Sequence, residues 1–210
     1  MSAQTHPISS SLTAAVPNTY AETWQSVEVD APPETTYEAV LTTDLSDFPP
    51  VRFLAWIRGI PDRVIRKLRG LAPPPTADEG TLRGLVEAGW WIELPREAPK
   101  EISLGLVMWD RRVEEGGMTR AMFDSPGPGA VWVGWGFVVA PLEGGRSLLV
   151  TQTRSQPVDA GARRKFARYW FFNKPFAGLT RRMVLTQMRR RPEALAASES
   201  PSARPRPRPI

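Results

Sequence analysis

The 210-residue sequence contains no cysteine and a single histidine, His6. The lack of cysteine excludes structural disulfides and a thiolate nucleophile. The two shortages together exclude a Cys/His zinc site and any Ser/His/Asp triad built on an ordered histidine. No Gly-rich phosphate loop followed by Lys and Ser/Thr is present, and no dinucleotide fingerprint. The acid pairs Asp78–Glu79 and Glu114–Glu115 read as loop residues without the geometry of a metal or glycosidase site. No metal or cofactor is therefore expected. The chemistry left is that of carboxylates, hydroxyls and arginine, or none at all.

Long apolar runs are also missing. The stretch Trp135 to Leu142 is among the longest and falls far below the ~20 residues that cross a bilayer. No basic start is followed by an apolar leader, so the expectation is a soluble cytoplasmic protein. What is present is ordinary globular material, with 41% hydrophobic and 23% charged residues. The length suits one core with tails. The 22 prolines and 16 glycines imply many connections and at least one unstructured end.

Charge is split along the chain. Residues 1–157 hold 14 Lys/Arg against 19 Asp/Glu, whereas residues 158–210 hold 13 against 3. The basic residues of the second part include Arg163, Arg164, Lys165, Arg168, Lys174, Arg181, Arg182, Arg189, Arg190 and Arg191. A smaller cluster is Arg58, Arg63, Arg66, Lys67 and Arg69. Such a run reads either as a solvated helix face or as a surface drawn to anionic membrane or another polyanion, without base recognition. No sequence-specific nucleic-acid binding is expected.

Three segments follow. Residues 1–21, rich in Ser/Thr, read as a disordered tail, and residues 192–210, ending in alternating Arg and Pro, read as a second, extended one. Residues 22–191 form the domain. Thr23 to Val29 reads as a strand, and Pro32 and Pro33 open a helix that runs through Leu41. Val51 to Leu68 reads as two short helices interrupted by Gly59 and Pro61, and Gly70 to Gly80 as a loop. From Thr81 the period drops to two. Trp90 to Leu94 and Ile102 to Met108 form a hairpin across Pro95 to Lys100, and a third strand covers Met118 to Phe123. Ala130 to Pro141 and Arg146 to Gln156 pair around Glu143 to Gly145. Gly134 and Gly136 in the first of these allow a sharp bend or the close approach of another element. A last helix runs from Asp159 to about Arg190, with an apolar stripe of Ala162, Phe166, Tyr169, Trp170, Phe176, Leu179 and Met183. Pro175 is expected to kink or break it.

Strand, helices, an antiparallel run and one long terminal helix make an α+β order. Within it, VEVDAPPETTYEAVL (Val27–Leu41), KEISLGLVMW (Lys100–Trp109), PGAVWVGWGFVVAPLEGGRSLLVTQTR (Pro128–Arg154) and ARRKFARYW (Ala162–Trp170) stand out. In order and wording the chain resembles bacterial members of the START-like (SRPBCC) superfamily of lipid-transfer and polyketide cyclase-like proteins. The likeness covers most of residues 23–190. It implies a helix-grip fold, a curved antiparallel sheet wrapped around the C-terminal helix with an apolar pocket between them. Two departures stand out. Gln152 occupies a place where members of the superfamily tend to carry an acid, and Trp90 and Trp91 are bulkier than the usual aliphatics.

If that pocket exists, Tyr37, Trp91, Trp109, Met122, Trp135, Phe137, Phe166, Trp170 and Phe176 are its lining candidates, each also readable as plain core. Glu93, Glu101, Arg154 and Tyr169 are the polar candidates, although Glu101 and Arg154 also read as a cross-strand ion pair. No residue is assigned a catalytic role. The leading expectation is noncatalytic binding or transfer of a hydrophobic small molecule or lipid. A cyclase or aromatase-like enzyme using the polar candidates is the second reading. The third is a peripheral protein that meets anionic membrane or polyanion through the basic helix.

Overall fold

A computed structural model describes residues 9–45 and 80–199. The helices expected over Val51 to Leu68 and the loop from Gly70 to Glu79 lie outside the described residues. The elements in chain order are α1 (Ser10–Ala15), β1 (Ala21–Val29), α2 (Pro33–Thr42), α3 (Leu82–Glu87), β2 (Ile92–Glu93), β3 (Glu101–Met108), α4 (Arg111–Gly116), α5 (Arg120–Asp124), β4 (Val131–Leu142), a 3-10 turn (Glu143–Gly145), β5 (Arg146–Pro157) and α6 (Ala160–Glu199). The fold is α+β. Its five strands form one antiparallel sheet in the order β1-β5-β4-β3-β2.

Strand pairing assigns each residue to a face. Val131, Val133, Trp135, Phe137 and Val139 of β4 point toward α6, together with Ile102 and Leu104 of β3 and Leu149 of β5. Val184, Leu185 and Met188 of α6 and Tyr37 and Val40 of α2 complete the main core there. The opposite face carries Glu101, Ser103, Gly105 and Val107 of β3 beside Gly134 and Gly136 of β4 and Gln152 and Arg154 of β5. That face is covered too. Leu12 and Val16 of the α1 segment, Val113, Met118 and Phe123 pack with Val107 and Leu94 in a second core.

The expected tail over residues 1–21 needs correction. Residues 1–8 lie outside the described residues, but Ser9 caps a helix by accepting from the Leu12 N–H, and Ser9, Leu12 and Val16 are buried. The two glycines make this possible. A Cβ at Gly134 would collide with the Leu12 side chain, and one at Gly136 would come within 2.6 Å of Ser103 Oγ. The expected close approach of another element is realised, and the element is α1.

Two further expectations fail locally, and of the kink or break expected at Pro175 the break is absent. Met118 to Phe123 is no strand: Thr119 caps α5 through the Met122 N–H, and Arg120 pairs with Asp124 one turn on. The sheet therefore has four strands after β1, one fewer than expected. Pro175 does not break α6, which runs without interruption from Ala160 to Glu199. Phe171, whose carbonyl Pro175 leaves without its donor, lies on the exposed side of the helix. Nor does the chain become an extended tail at Pro192. Arg189 Nε donates to Glu193 at 2.6 Å, the Asp30 N–H donates to Glu193, and Arg191 donates to the Thr42 carbonyl. These contacts carry the helix through Pro192 and into the good helix formers beyond it. Residues 200–210 lie outside the described residues.

A buried carboxylate ties the end of β3 to the loops around it. Asp110 accepts from the Arg112 N–H, from Arg112 Nη2 at 2.6 Å and from the Gly127 N–H at 2.7 Å. The Arg112 hydrogen bond, helped by those backbone donors and opposed by burial, holds the carboxyl down to about 2. The pKa is lower folded than unfolded, so the stabilisation is present above about pH 4 and disappears as pH falls through the folded value. Asp110→Asn is expected to lose about 2 kcal/mol near neutrality and almost nothing near pH 2. Urea unfolding at both pH values checks this.

Candidate functional site

Seven of the nine expected lining residues gather between the sheet and the helices on the α6 side, where they belong to two neighbouring apolar clusters. Phe166 lies within about 6 Å, centroid to centroid, of Tyr20, Trp109, Tyr169 and Trp170. Trp135 sits between Trp91 and Phe137 at 5.9 and 4.9 Å. Its indole N–H donates to Thr151 Oγ1 at 2.9 Å. Lys165 Nζ stands 4.0 Å above the Trp109 ring. Phe137 and Phe166 are fully buried by these neighbours. Tyr37 is buried in the same core, and among the described residues its hydroxyl has no partner in strict hydrogen-bonding geometry. Burial raises its pKa; Arg96 opposes that rise, and Glu93 and Glu38 add to it.

The other two lining candidates are elsewhere. Met122 packs on the opposite face of the sheet with the second core, because α5 replaces the expected strand. Phe176 points outward from α6.

The four polar candidates do not converge. Glu101 and Arg154 are on the face away from α6, whereas Tyr169 packs with the aromatic cluster on the α6 side. Glu93 is exposed and pairs with Arg96 at 3.2 Å. The Glu101–Arg154 ion pair is absent because β4 lies between their strands. Through β4, Glu101 stands level with Val150, four residues from Arg154. Arg154 donates instead to Thr19 Oγ1 at 2.6 Å.

Glu101 has a different partner, which the sequence reading missed. It accepts from Ser9 Oγ at 2.6 Å, from the Ser10 and Ser11 N–H groups at 3.0 and 2.9 Å, and from both of those serines' hydroxyls. Burial alone would raise its pKa, but the bonds from Ser11 and Ser9 and from the two backbone donors outweigh it, leaving the carboxyl below its usual range. The group is an anchor for α1. Its hydrogen-bonding capacity is consumed by the fold.

Among the described residues, two open clefts lie beside α6, and none of the nine lining candidates borders either of these. The larger, about 640 Å³, lies where α6 passes edge strand β1 and is bounded by Gln25, Phe171, Lys174, Pro175, Gly178, Leu179 and Arg182. Gln25 Nε2 donates to the Gly178 carbonyl at 3.1 Å and ties strand to helix at its floor. The smaller, about 430 Å³, lies between the chain entering β1 and the turn before α6, with Tyr20, Gln156, Asp159 and Arg163 among its walls. The sequence signal for the larger cleft was Gly178, a glycine in mid-helix among bulky residues. Among the described residues no group of three or more His, Asp or Glu side chains could hold a metal ion, and no helix is long and apolar enough to cross a membrane.

No protein-family model matches the chain, and no curated protein is significantly similar to it. Among solved structures, the hypothetical protein jhp0584 from Helicobacter pylori aligns over 91% of this chain and 97% of its own, with 12% identity and a TM-score of 0.34. A likeness that loose carries no argument about fold or function.

Proposed function

We propose that this chain is a noncatalytic binding module of the START-like, helix-grip kind, and that it takes an amphipathic molecule with an apolar body and an anionic end. The site is the cleft between α6 and β1. One observation carries this reading. A recess of about 640 Å³ combines apolar walls, Phe171, Pro175 and Leu179, with the cations Lys174 and Arg182. That volume lies within the ~300–1,000 Å³ usual for small-molecule sites. Apolar burial would supply affinity, and the two cations would orient the anionic end. The ligand would sit in the outer recess and not in the pocket expected between sheet and helix, because the recess is an open space that brings apolar walls and cations together.

Gly178 provides the test. It stands mid-helix, where glycine costs roughly 0.5–1 kcal/mol relative to alanine. A Cβ there would meet only Gln25 Nε2, at 3.9 Å. Gly178→Leu is therefore expected to fill the recess while leaving thermal stability equal or higher. The probe is 1-anilinonaphthalene-8-sulfonate, an anionic aromatic amphiphile. The wild-type chain should bind it saturably, one per chain, and Gly178→Leu should weaken binding at least tenfold. Equal binding by both proteins, or none by the wild type, counts against the cleft.

A further inference from the structure

The middle of α6 is apolar on two sides, and among the described residues only one of them has a partner. Phe166, Tyr169, Trp170 and Ala177 face the sheet side. Facing away are Phe171, Phe172, Phe176 and Leu179, which are 76%, 69%, 42% and 50% exposed. Three phenylalanines and a leucine within nine positions form a contiguous exposed patch on one helix, and such patches mark interaction surfaces.

Helix geometry shows what surrounds the patch. At 3.6 residues per turn, Arg164, Arg168, Phe171, Phe172, Pro175, Leu179 and Arg182 fall within one arc of about 100°. The rings thus form a belt with arginines in line with it at both ends. All seven side chains are exposed. The basic character is unopposed along the helix, because no Asp or Glu occurs between Asp159 and Glu193.

From this arrangement we infer that the outward face of α6 docks on an anionic membrane surface, the rings entering the boundary between headgroups and acyl chains. Charge complementarity identifies the partner. Phenylalanine and leucine gain most at an interface that takes them out of water, and arginines in line with them reach the headgroup level on long apolar stems. Each cation near an anionic leaflet contributes about 1 kcal/mol, so Arg164, Arg168 and Arg182 supply an electrostatic share that salt removes. A protein groove would need acids to meet these arginines and would leave the belt's ends unpaired on a neutral one. The inference goes beyond the ligand reading and stands without it. The two meet at Phe171 and Leu179, which border both the cleft and the exposed face.

The test is co-sedimentation of the full chain with vesicles of phosphatidylcholine alone or mixed with phosphatidylglycerol, across a salt series. The wild type should bind the mixed vesicles, bind the neutral ones at least tenfold less, and lose affinity as salt rises. Phe171→Ser with Phe172→Ser should cut binding to mixed vesicles at least tenfold with an unchanged circular dichroism spectrum. Arg164→Gln with Arg168→Gln should flatten the salt dependence. Gly178→Leu should sediment like the wild type, so that failure of the cleft and failure of the membrane face are distinguishable. The inference is overturned if the wild type ignores phosphatidylglycerol, if both double variants bind as it does, or if single-stranded RNA competes the chain off the vesicles while the two Ser substitutions change nothing.

Discussion

Glu101→Ala is expected to free the α1 segment from the sheet while the α6 side keeps its structure. The substitution removes one acceptor group and strands the Ser9, Ser10 and Ser11 hydroxyls and two backbone N–H groups that now converge on it. Leaving a buried donor unpaired costs roughly 1–3 kcal/mol. Ser10 is open to solvent and Ser9 keeps Gln152 and Ser103, so the loss falls mainly on the Ser11 groups and is set against the segment's hold by Leu12, Val16 and Ser9. Detachment is the cheaper outcome, and it caps the loss. The Leu12, Thr13 and Val16 amides, bonded within the segment to Ser9 Oγ, the Ser9 carbonyl and the Leu12 carbonyl, should exchange roughly a hundredfold faster, equivalent to about 3 kcal/mol. Glu101→Gln should have a smaller effect, since an amide oxygen still accepts and the serine hydroxyls can turn to accept from its NH₂.

Acid should imitate the substitution. The Glu101 pKa is lower in the folded chain than in the unfolded one, so its contribution is complete above the ordinary carboxylate value and disappears as pH falls through the folded one. Unchanged exchange at Leu12, Thr13 and Val16 in Glu101→Ala would show that apolar contact and the Ser9 bonds to Gln152 and Ser103 hold the segment without the carboxylate.

Phe166→Ala should have the largest effect on global stability. The ring is buried against Val131 and Val133 and touches four other aromatic rings. Removing a buried phenylalanine costs about 3–5 kcal/mol, because the transfer term is lost and a cavity remains. For a chain of this size that is a fall in Tm of roughly 10 °C. The same helix contains its own control. Phe172→Ala, six positions on and mostly exposed, should change stability by no more than about 0.5 kcal/mol. Thermal melts of the two variants give the comparison, and near-ultraviolet circular dichroism should lose the Trp109 and Trp170 signal in Phe166→Ala alone.

Elements governed by local periodicity were legible in the sequence. β4 sets Val131, Val133, Trp135, Phe137 and Val139 on one face and small residues such as Gly134 and Gly136 on the other, β1 and β5 are extended runs bounded by turn residues, α2 begins at a proline pair, and α6 repeats its apolar residues at helical spacing. Elements held by distant partners were not. α1 is six residues long and owes its place to a glutamate about ninety positions away, so only its Ser9 cap and the Leu12/Val16 spacing hinted at it. α5 is as short, and its signal was again a capping residue, Thr119.

The site was harder to read than the fold. Phe166 and Trp170 lie on the inward stripe of α6, but Phe176 and Leu179, which continue a plausible three- and four-residue spacing, lie on the outward one. A helix with two apolar stripes does not say which faces the sheet. The polar candidates failed for another reason. Strand parity relates neighbours along one strand, whereas bringing Glu101 near Arg154 depended on strand order, and β4 separates them.

The place of β1 in the sheet bears on how the chain reaches this state. Ala21 pairs with Ser155 and Val29 with Ser147, and α6 closes over the joint only afterwards in the sequence. A ribosome releasing this chain must expose β1 long before its mate emerges, since the loop to be closed spans more than a hundred residues. Its maturation should therefore be slow for its size and governed by the arrival of β5, with an unpaired amphipathic strand waiting in the interim.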